Sequence, residues 1–371
     1  MKTRTIITIV VVNLRIIFGK LIPFRKVLKF PYKLTINLTN DCNSRCEYCD
    51  IWKINKDDPE LKENEISLTD VRKVFHDLNK KLYWLALSGG EITLVKYFEE
   101  ILQAAKDECP NLIVLTFTTN ALKPKKALRH AIKAKQLGFD VFVTISLDGD
   151  KELHDRVRGI KGNYEKCQWL YQALKKEKIN VHFGLTVGDE NSEFVEKKYK
   201  ERRREIKSIV FAHSDGIYAK KIEKKRENII SALWTVYDNY VISHLSEIIE
   251  KIHIIIGIEF LVKKEKTDII PCEVLNTSAH IFPNGDIRPC MFMPALGNIK
   301  RDNIVKIYNT EAANAMRKDI REDRCPHCWM NCYSVHSIMQ HPLKSLAVGI
   351  RTYTRRKYTQ FGRRRDKVFA G

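Results

Sequence analysis

Cys42, Cys46 and Cys49 are spaced C-x3-C-x2-C, directly after the apolar run that ends at Leu38. No other feature constrains the 371-residue chain as strongly, because thiols this close must converge from one loop on one centre. Three thiolates can hold three irons of a cubic [4Fe-4S] cluster, which normally takes four Cys ligands. The fourth iron is then open to a small molecule. Zinc accepts the same thiolates, but usually through paired C-x2-C units or added His at fixed offsets. The spacing favours the cluster.

From residue 31 the chain alternates strand-like and helix-like segments. The strand candidates are Lys33–Leu38, Tyr83–Leu87, Ile113–Thr118, Val141–Leu147, Val181–Val187 and Ile206–Ala212. They are short and apolar without strict alternation, as expected of strands buried on both faces. Between them, Ser67 with Asp70 forms a capping box before Val71, Val74, Phe75 and Leu78. Leu94, Phe98, Ile101, Leu102 and Ala105 share another helical face, and Gly138 closes a third helix. Six such repeats imply a parallel sheet with right-handed crossovers, either doubly wound or a barrel. After His213 the pattern breaks into one or two long helices with Ile229, Leu233, Val236, Tyr240 and Ile242 on one face. The apolar run Ile252–Val262 reads equally as strand or helix.

Strand ends carry the polar motifs. Ser88-Gly89-Gly90-Glu91 follows the second strand, Thr118-Thr119-Asn120 the third, and Ser146-Leu147-Asp148-Gly149 the fourth, with His154 to Gly159 shortly after. Together with the cysteine loop and Tyr48 before its last Cys, these segments resemble the radical S-adenosylmethionine (SAM) enzymes. The resemblance selects a partial (β/α)6 barrel within the α/β class. It implies that Cys42, Cys46 and Cys49 hold a [4Fe-4S] cluster whose open iron takes exchangeable SAM. By the same resemblance, Ser88, Gly89, Gly90 and Glu91 bind SAM's amino group, and Asn120, Ser146, Asp148 and Arg158 complete its site. Many relatives have Pro after the Glu, where this chain has Ile92. The chemistry implied is reductive cleavage of SAM to a 5′-deoxyadenosyl radical that abstracts a substrate hydrogen.

A second cysteine group follows: Cys272, Cys290, Cys325, Cys328 and Cys332. Asn284-Gly285 is a hairpin-turn signal between two short β-like runs, and a hairpin there draws Cys272 and Cys290 together. The arrangement resembles the SPASM/twitch extension of radical SAM enzymes, a small α+β domain. Five cysteines suffice for one auxiliary [4Fe-4S] cluster. The resemblance makes Cys272, Cys290, Cys325 and Cys328 its ligands, with Cys332 able to replace one of the last two. Full ligation would suit an electron-transfer role.

The formal charge of +20 implies an anionic partner: a membrane surface, a nucleic acid or a phosphorylated substrate. A secreted disulfide scaffold is excluded by chain length and by the missing signal-peptide pattern. Cys109 and Cys167 read as packed thiols. Residues Ile6 to Ile22 are mostly apolar but interrupted by Asn13, Arg15 and Lys20, and fall short of the ~20 residues of a spanning helix. They read either as an interfacial anchor or as a segment packed under the barrel. Residues 351–367 carry eight basic residues and one Asp, with Tyr353, Tyr358 and Phe361 interleaved. Such a tail suits anionic lipid or RNA.

The expected organisation is an apolar and basic segment over 1–30, a barrel over 31–215, a helical connector over 216–262, an auxiliary cluster domain over 263–340 and a basic tail over 341–371. The expected protein is a cytoplasmic radical SAM oxidoreductase or transferase, peripheral to the cytoplasmic membrane face. It would draw electrons from a low-potential ferredoxin or flavodoxin type donor and act on a lipid or other small metabolite. A peptide maturase usually begins with a peptide-binding module, and 30 residues are too few for one. The alternatives are a peptide or RNA modification enzyme of the same chemistry and, in another class, a zinc-structured nucleic-acid-binding protein.

Overall fold

The computed structural model describes residues 5, 8, 10–14, 30–202, 204–213, 216, 226–244, 247–263 and 269–368, with side chains as far as Arg356. Six parallel strands form the expected arc: β1 (Lys33–Asn37), β2 (Trp84–Ser88), β3 (Val114–Thr119), β4 (Asp140–Ser146), β5 (Asn180–Val187) and β6 (Ile206–Phe211), hydrogen-bonded in that order. The helices α1 (Leu68–Leu78), α2 (Phe98–Glu108), α3 (Pro124–Gln136), α4 (Lys151–Arg158), α5 (Asn163–Lys176) and α6 (Ser192–Arg202) alternate with them. The capping box at Ser67 and Asp70 forms as expected, and Gly138 takes φ +93° after α3.

Strand β1 is buried on both faces, as expected, whereas β2 to β6 are sealed mainly on one. Leu34, Ile36, Leu85, Leu115, Val143 and Phe183 are sealed beneath the helices, each worth about 1.5–3 kcal/mol of burial. The opposite face carries Ala86, Thr116, Thr144, Ser146, Gly184 and Ser208, all half-buried. Small side chains on the concave face leave a trough, which explains why the strands were not uniformly apolar.

The sheet does not stop at β1. A seventh strand, β7 (Ser278–Ile281), pairs parallel to β1 from Lys33↔Ser278 to Ile36↔Ile281, and β8 (Asp286–Arg288) and β9 (Gly297–Asn298) follow antiparallel. The second cysteine region therefore shares the barrel's sheet. Its hairpin turns at Gly285, φ +88°, where a Cβ would lie 2.7 Å from Asn298 Oδ1.

The region after β6 forms two helices, α7 (Arg226–Asn239) and α8 (Glu247–Val262). Ile229, Leu233, Val236 and Tyr240 are buried as expected, whereas Ile242 lies past the helix end and is exposed. The run from Ile252 is helical. Residues 254–258 of α8 are apolar all round because the helix is covered on several sides, which erases the amphipathic pattern.

Helix α9 (Asn331–Gln340) closes the arc. Asn331 Nδ2 donates to Ser208 Oγ on β6 at 3.2 Å, and Lys33 Nζ on β1 donates to the Cys332 carbonyl at 3.1 Å. His336 meets Trp84 of β2 edge-on, with ring centres 5.4 Å apart. The last helix, α10 (Pro342–Val368), packs on α8. The N-terminal segment lies mostly outside the described residues, but residues 10–14 are helical, with Val12 and Asn13 buried. Among the described residues no helix is long and apolar enough to cross a membrane.

Candidate active site

Strand β1 delivers the cysteine loop to the C-terminal mouth of the sheet, and β2 delivers Ser88 to Glu91 beside it. The two loops are bonded to each other: Gly90 N donates to Thr39 O at 2.7 Å and Glu91 N to Asp41 O at 2.8 Å. A Cβ on Gly90 would lie 2.2 Å from the Asp41 carbonyl oxygen, and one on Gly89 2.5 Å from that of Thr39. Here the paired glycines serve loop-on-loop contact. On the other side, Arg45 N donates to Arg158 O and Glu47 N to Val157 O, both at 2.9 Å. The cysteine loop is thus held between the β2 loop and the end of α4.

Cys42, Cys46 and Cys49 are half-buried. Burial, with the neighbouring thiols and Glu91 adding to it, pushes Cys42 up to about 12, and burial likewise pushes Cys49 to about 11. Such thiols keep their protons until a metal displaces them.

Glu91 is buried, and its carboxylate accepts from Thr93 N at 3.1 Å and from Thr93 Oγ1, Thr119 Oγ1 and Asn120 N at 2.8 Å. Burial raises its pKa against these bonds. The carboxylate therefore ties the end of β2 to the end of β3. Asn120 Nδ2 donates to Asn43 Oδ1 at 2.9 Å and lies 3.8 Å from Cys42 Sγ. Ser88 and Ser146 stand half-buried at their strand ends. Asp148 is buried, and Arg158 Nε donates to its Oδ2 at 2.5 Å while Nη1 reaches within 3.7 Å of Cys46 Sγ. Burial alone would lower the Arg158 pKa, but Asp148, Tyr48 and Cys46 hold it well above the usual value.

In the second region, Cys272, Cys290, Cys325 and Cys328 line one cavity together with Phe292 and Tyr333. Burial pushes the thiols of Cys272 and Cys290 up to about 12 and 11. Cys332 is not in that lining. It is half-buried beside Lys33 and Tyr333, which offset part of the upward push of burial on its thiol. A tighter group, Asp323, Cys325 and His327, sits within 4.8 Å at the rim, with the Asp exposed. The donor set of four cavity thiols fits one auxiliary cluster.

Several residues of this site escaped the sequence reading. Asn163 Nδ2 donates to Asn120 O at 2.8 Å and its Oδ1 faces His154 Nε2 at 3.2 Å. Asn191 Nδ2 bonds Asp148 O at 2.9 Å and Thr186 O at 2.8 Å. The position of Asn191, just past a strand end, was the available signal. Tyr333 lines the auxiliary cavity and its hydroxyl lies 2.8 Å from His280 Nδ1, on the strand beside β1. Nothing local in the sequence pairs those two.

Two family profiles match this architecture. Residues 36–202 match the radical SAM superfamily, and residues 272–333 match SPASM, an iron-sulfur cluster-binding domain. These matches indicate a [4Fe-4S] cluster with SAM and auxiliary cluster binding, and they remove the zinc-structured alternative. The chain is 23% identical over 318 residues to the antilisterial bacteriocin subtilosin biosynthesis protein AlbA of Bacillus subtilis (strain 168), covering 80% of this chain and 65% of AlbA. It is 28% identical over 165 residues to the sporulation killing factor maturation protein SkfB of the same organism, covering 44% of this chain and 38% of SkfB. The chain thus spans less than two thirds of either relative. The solved structure of anSMEcpe with bound AdoMet and the Cp18Cys peptide has the same fold, with a TM-score of 0.59 at 16% identity over 87% of this chain and 99% of that one.

Proposed function

We propose, from the premise that the chain belongs to the radical SAM superfamily and carries a SPASM domain, that it modifies a peptide by hydrogen abstraction and one-electron oxidation. The relatives AlbA and SkfB are named for the biosynthesis of a bacteriocin and the maturation of a killing factor. A peptide therefore replaces the lipid or small metabolite expected from the chain's charged ends.

The observation that supports this reading best is the pairing of the two thiol sets across one continuous sheet. Cys42, Cys46 and Cys49 would hold the first cluster at the mouth, and Cys272, Cys290, Cys325 and Cys328 the second beside β7. Bound there, the first cluster and SAM supply reductive cleavage of the sulfonium and a carbon-centred radical. The chain's own residues do the rest. The Ser88–Glu91 loop would hold SAM's amino group and Asn120 and Ser146 would help bind the cofactor, while the Asp148–Arg158 pair fixes the loop around Cys46. The small residues of the concave face leave room for an extended peptide, and α9 keeps water from entering at the open edge. The Tyr333–His280 contact bridges the trough and the auxiliary thiols, where an electron leaving the substrate would pass. A ferredoxin or flavodoxin type donor would reduce the first cluster.

The test is anaerobic reconstitution with SAM and dithionite, followed by a peptide library, total lipid extract and transfer RNA in separate reactions. Peptide-dependent growth in 5′-deoxyadenosine with a peptide mass loss is expected. Stimulation by lipid or RNA alone overturns the peptide assignment.

A further inference from the structure

Helix α10 has two faces, and the outer one is the wrong polarity for solvent. Ser345, Val348 and Thr352, spaced i, i+3, i+7, are buried toward α8, where Gly349 approaches Ile255 and Thr352 Oγ1 donates to Glu259 Oε2 at 3.0 Å. With its core-facing stripe satisfied, the helix should be polar outside. Instead Leu343 is 83% exposed, Leu346 53% and Ile350 56%, again at i, i+3, i+7. Scattered exposed aliphatics are ordinary; a stripe of them along one helix is not.

A second helical piece stands against the start of this helix. Asn13 Oδ1 accepts from Gln340 Nε2 at 2.6 Å, a contact buried between the N-terminal segment and the residue two before α10. Around Asn13, the side chains of Val10, Val11 and Leu14 are exposed. This buried polar contact ties the N-terminal segment to the end of α9, two residues before α10 begins. Basic residues flank the α10 stripe: Lys344 is exposed, and Arg351 and Arg355 are exposed although each reaches Glu259, at 3.5 and 3.1 Å.

We propose that the outer face of α10, with Val10, Val11 and Leu14, docks on the surface of an anionic lipid bilayer. Charge favours that occupant: the chain carries +20, and residues 351–367 hold eight basic residues against one acidic. A second copy would bring two such basic borders together, which like charge opposes. The stripe runs along a single helix, a shape suited to a flat surface, and no described helix is apolar and long enough to cross a membrane. The membrane is then where the enzyme works and not what it modifies.

The experiment is flotation of the full-length, reconstituted protein with phosphatidylcholine vesicles made with and without phosphatidylglycerol, at low and high salt. Wild type should float with the anionic vesicles and release partly as salt rises. The variant Leu343→Ser/Leu346→Ser/Ile350→Ser should lose vesicle partitioning by about tenfold or more while keeping its iron content and thermal midpoint, since all three side chains already face outward. No flotation of wild type, or flotation unchanged in the triple variant, overturns the proposal. A wild-type dimer that the triple variant converts to monomer assigns the face to a second copy. Retention of an acidic amphipathic peptide in place of vesicles assigns it to a peptide, and either result also overturns the lipid reading.

Discussion

Arg158 is committed to Asp148: Nε donates to Oδ2 at 2.5 Å, both groups are shielded from solvent, and the same guanidinium reaches 3.7 Å from Cys46 Sγ. Arg158, a residue of the SAM site by resemblance, also joins the end of β4 to the cysteine loop. Arg158→Ala leaves a buried carboxylate unpaired and should cost about 3–5 kcal/mol, while Arg158→Met with Asp148→Leu should recover much of that loss. Thermal unfolding of the two variants reads the difference. A single variant as stable as wild type would mean the pair carries little weight.

Gly90 has no space for a side chain. Gly90→Ala places a Cβ 2.2 Å from the Asp41 carbonyl, against backbone that cannot swing aside. The two loops must part, and we expect a loss above about 2 kcal/mol together with reduced iron at the first site. Gly162→Ala is the control: its φ is +78°, but nothing lies within 4 Å, so only the smaller backbone strain remains. Iron and sulfide analysis after anaerobic reconstitution separates the two.

The thiol sets should be independent in metal content. Replacing Cys42, Cys46 and Cys49 with Ala should remove about four irons and abolish SAM cleavage, with the auxiliary irons retained. Iron counting with Mössbauer spectra checks this, and SAM cleavage surviving in the triple variant would sink the assignment.

Within the auxiliary set, Cys272→Ala, Cys290→Ala, Cys325→Ala and Cys328→Ala should each lose cluster iron. Cys332→Ala should retain it, because Cys332 does not line the cavity and sits by Lys33. Iron loss in Cys332→Ala with retention in Cys325→Ala would exchange the two.

Glu250 gives a pH signature. Burial raises its pKa from 4.5 to about 7, against the Asn331 bond at 3.2 Å and with Glu247 adding repulsion. Lys207 is engaged with Glu247, and Tyr240 and His253 are held uncharged by burial. Between pH 4.5 and 7 the folded protein holds a proton that the unfolded chain releases, so stability falls as pH rises through that window. The penalty, of order 3 kcal/mol at its limit, is complete above the folded value. Glu250→Gln should match wild type in acid and exceed its thermal midpoint at pH 8, measured by calorimetry; parallel curves would refute it.

What could be read from the sequence was contiguous. The cysteine loop, Gly89-Gly90 and Ser67 with Asp70 each carry their chemistry within a few residues, so spacing alone located them. The six strands were visible for the same reason. The concave polarity was hidden because Thr116 and Thr144 are good strand formers whichever way they face. The extension of the sheet through β7, the commitment of Glu91 and Arg158, and the contact of Tyr333 with His280 join residues with no shared period. The lipid substrate was inferred from the chain's ends, where charge reports on surroundings and not on what enters the trough.

Lys33 meets Cys332 across 299 positions of chain. On a ribosome, β1 must therefore wait for a helix made some 299 residues later. Until residue 281 has emerged β1 lacks its β7 neighbour, and until α9 has emerged Lys33 and Trp84 lack the Cys332 and His336 contacts. Such distant contacts carry a high loop-closure cost and fold slowly. A truncated transcript or a stalled ribosome would thus release a half-shell with an exposed strand edge, a species for chaperones and proteases to handle, and not a smaller enzyme.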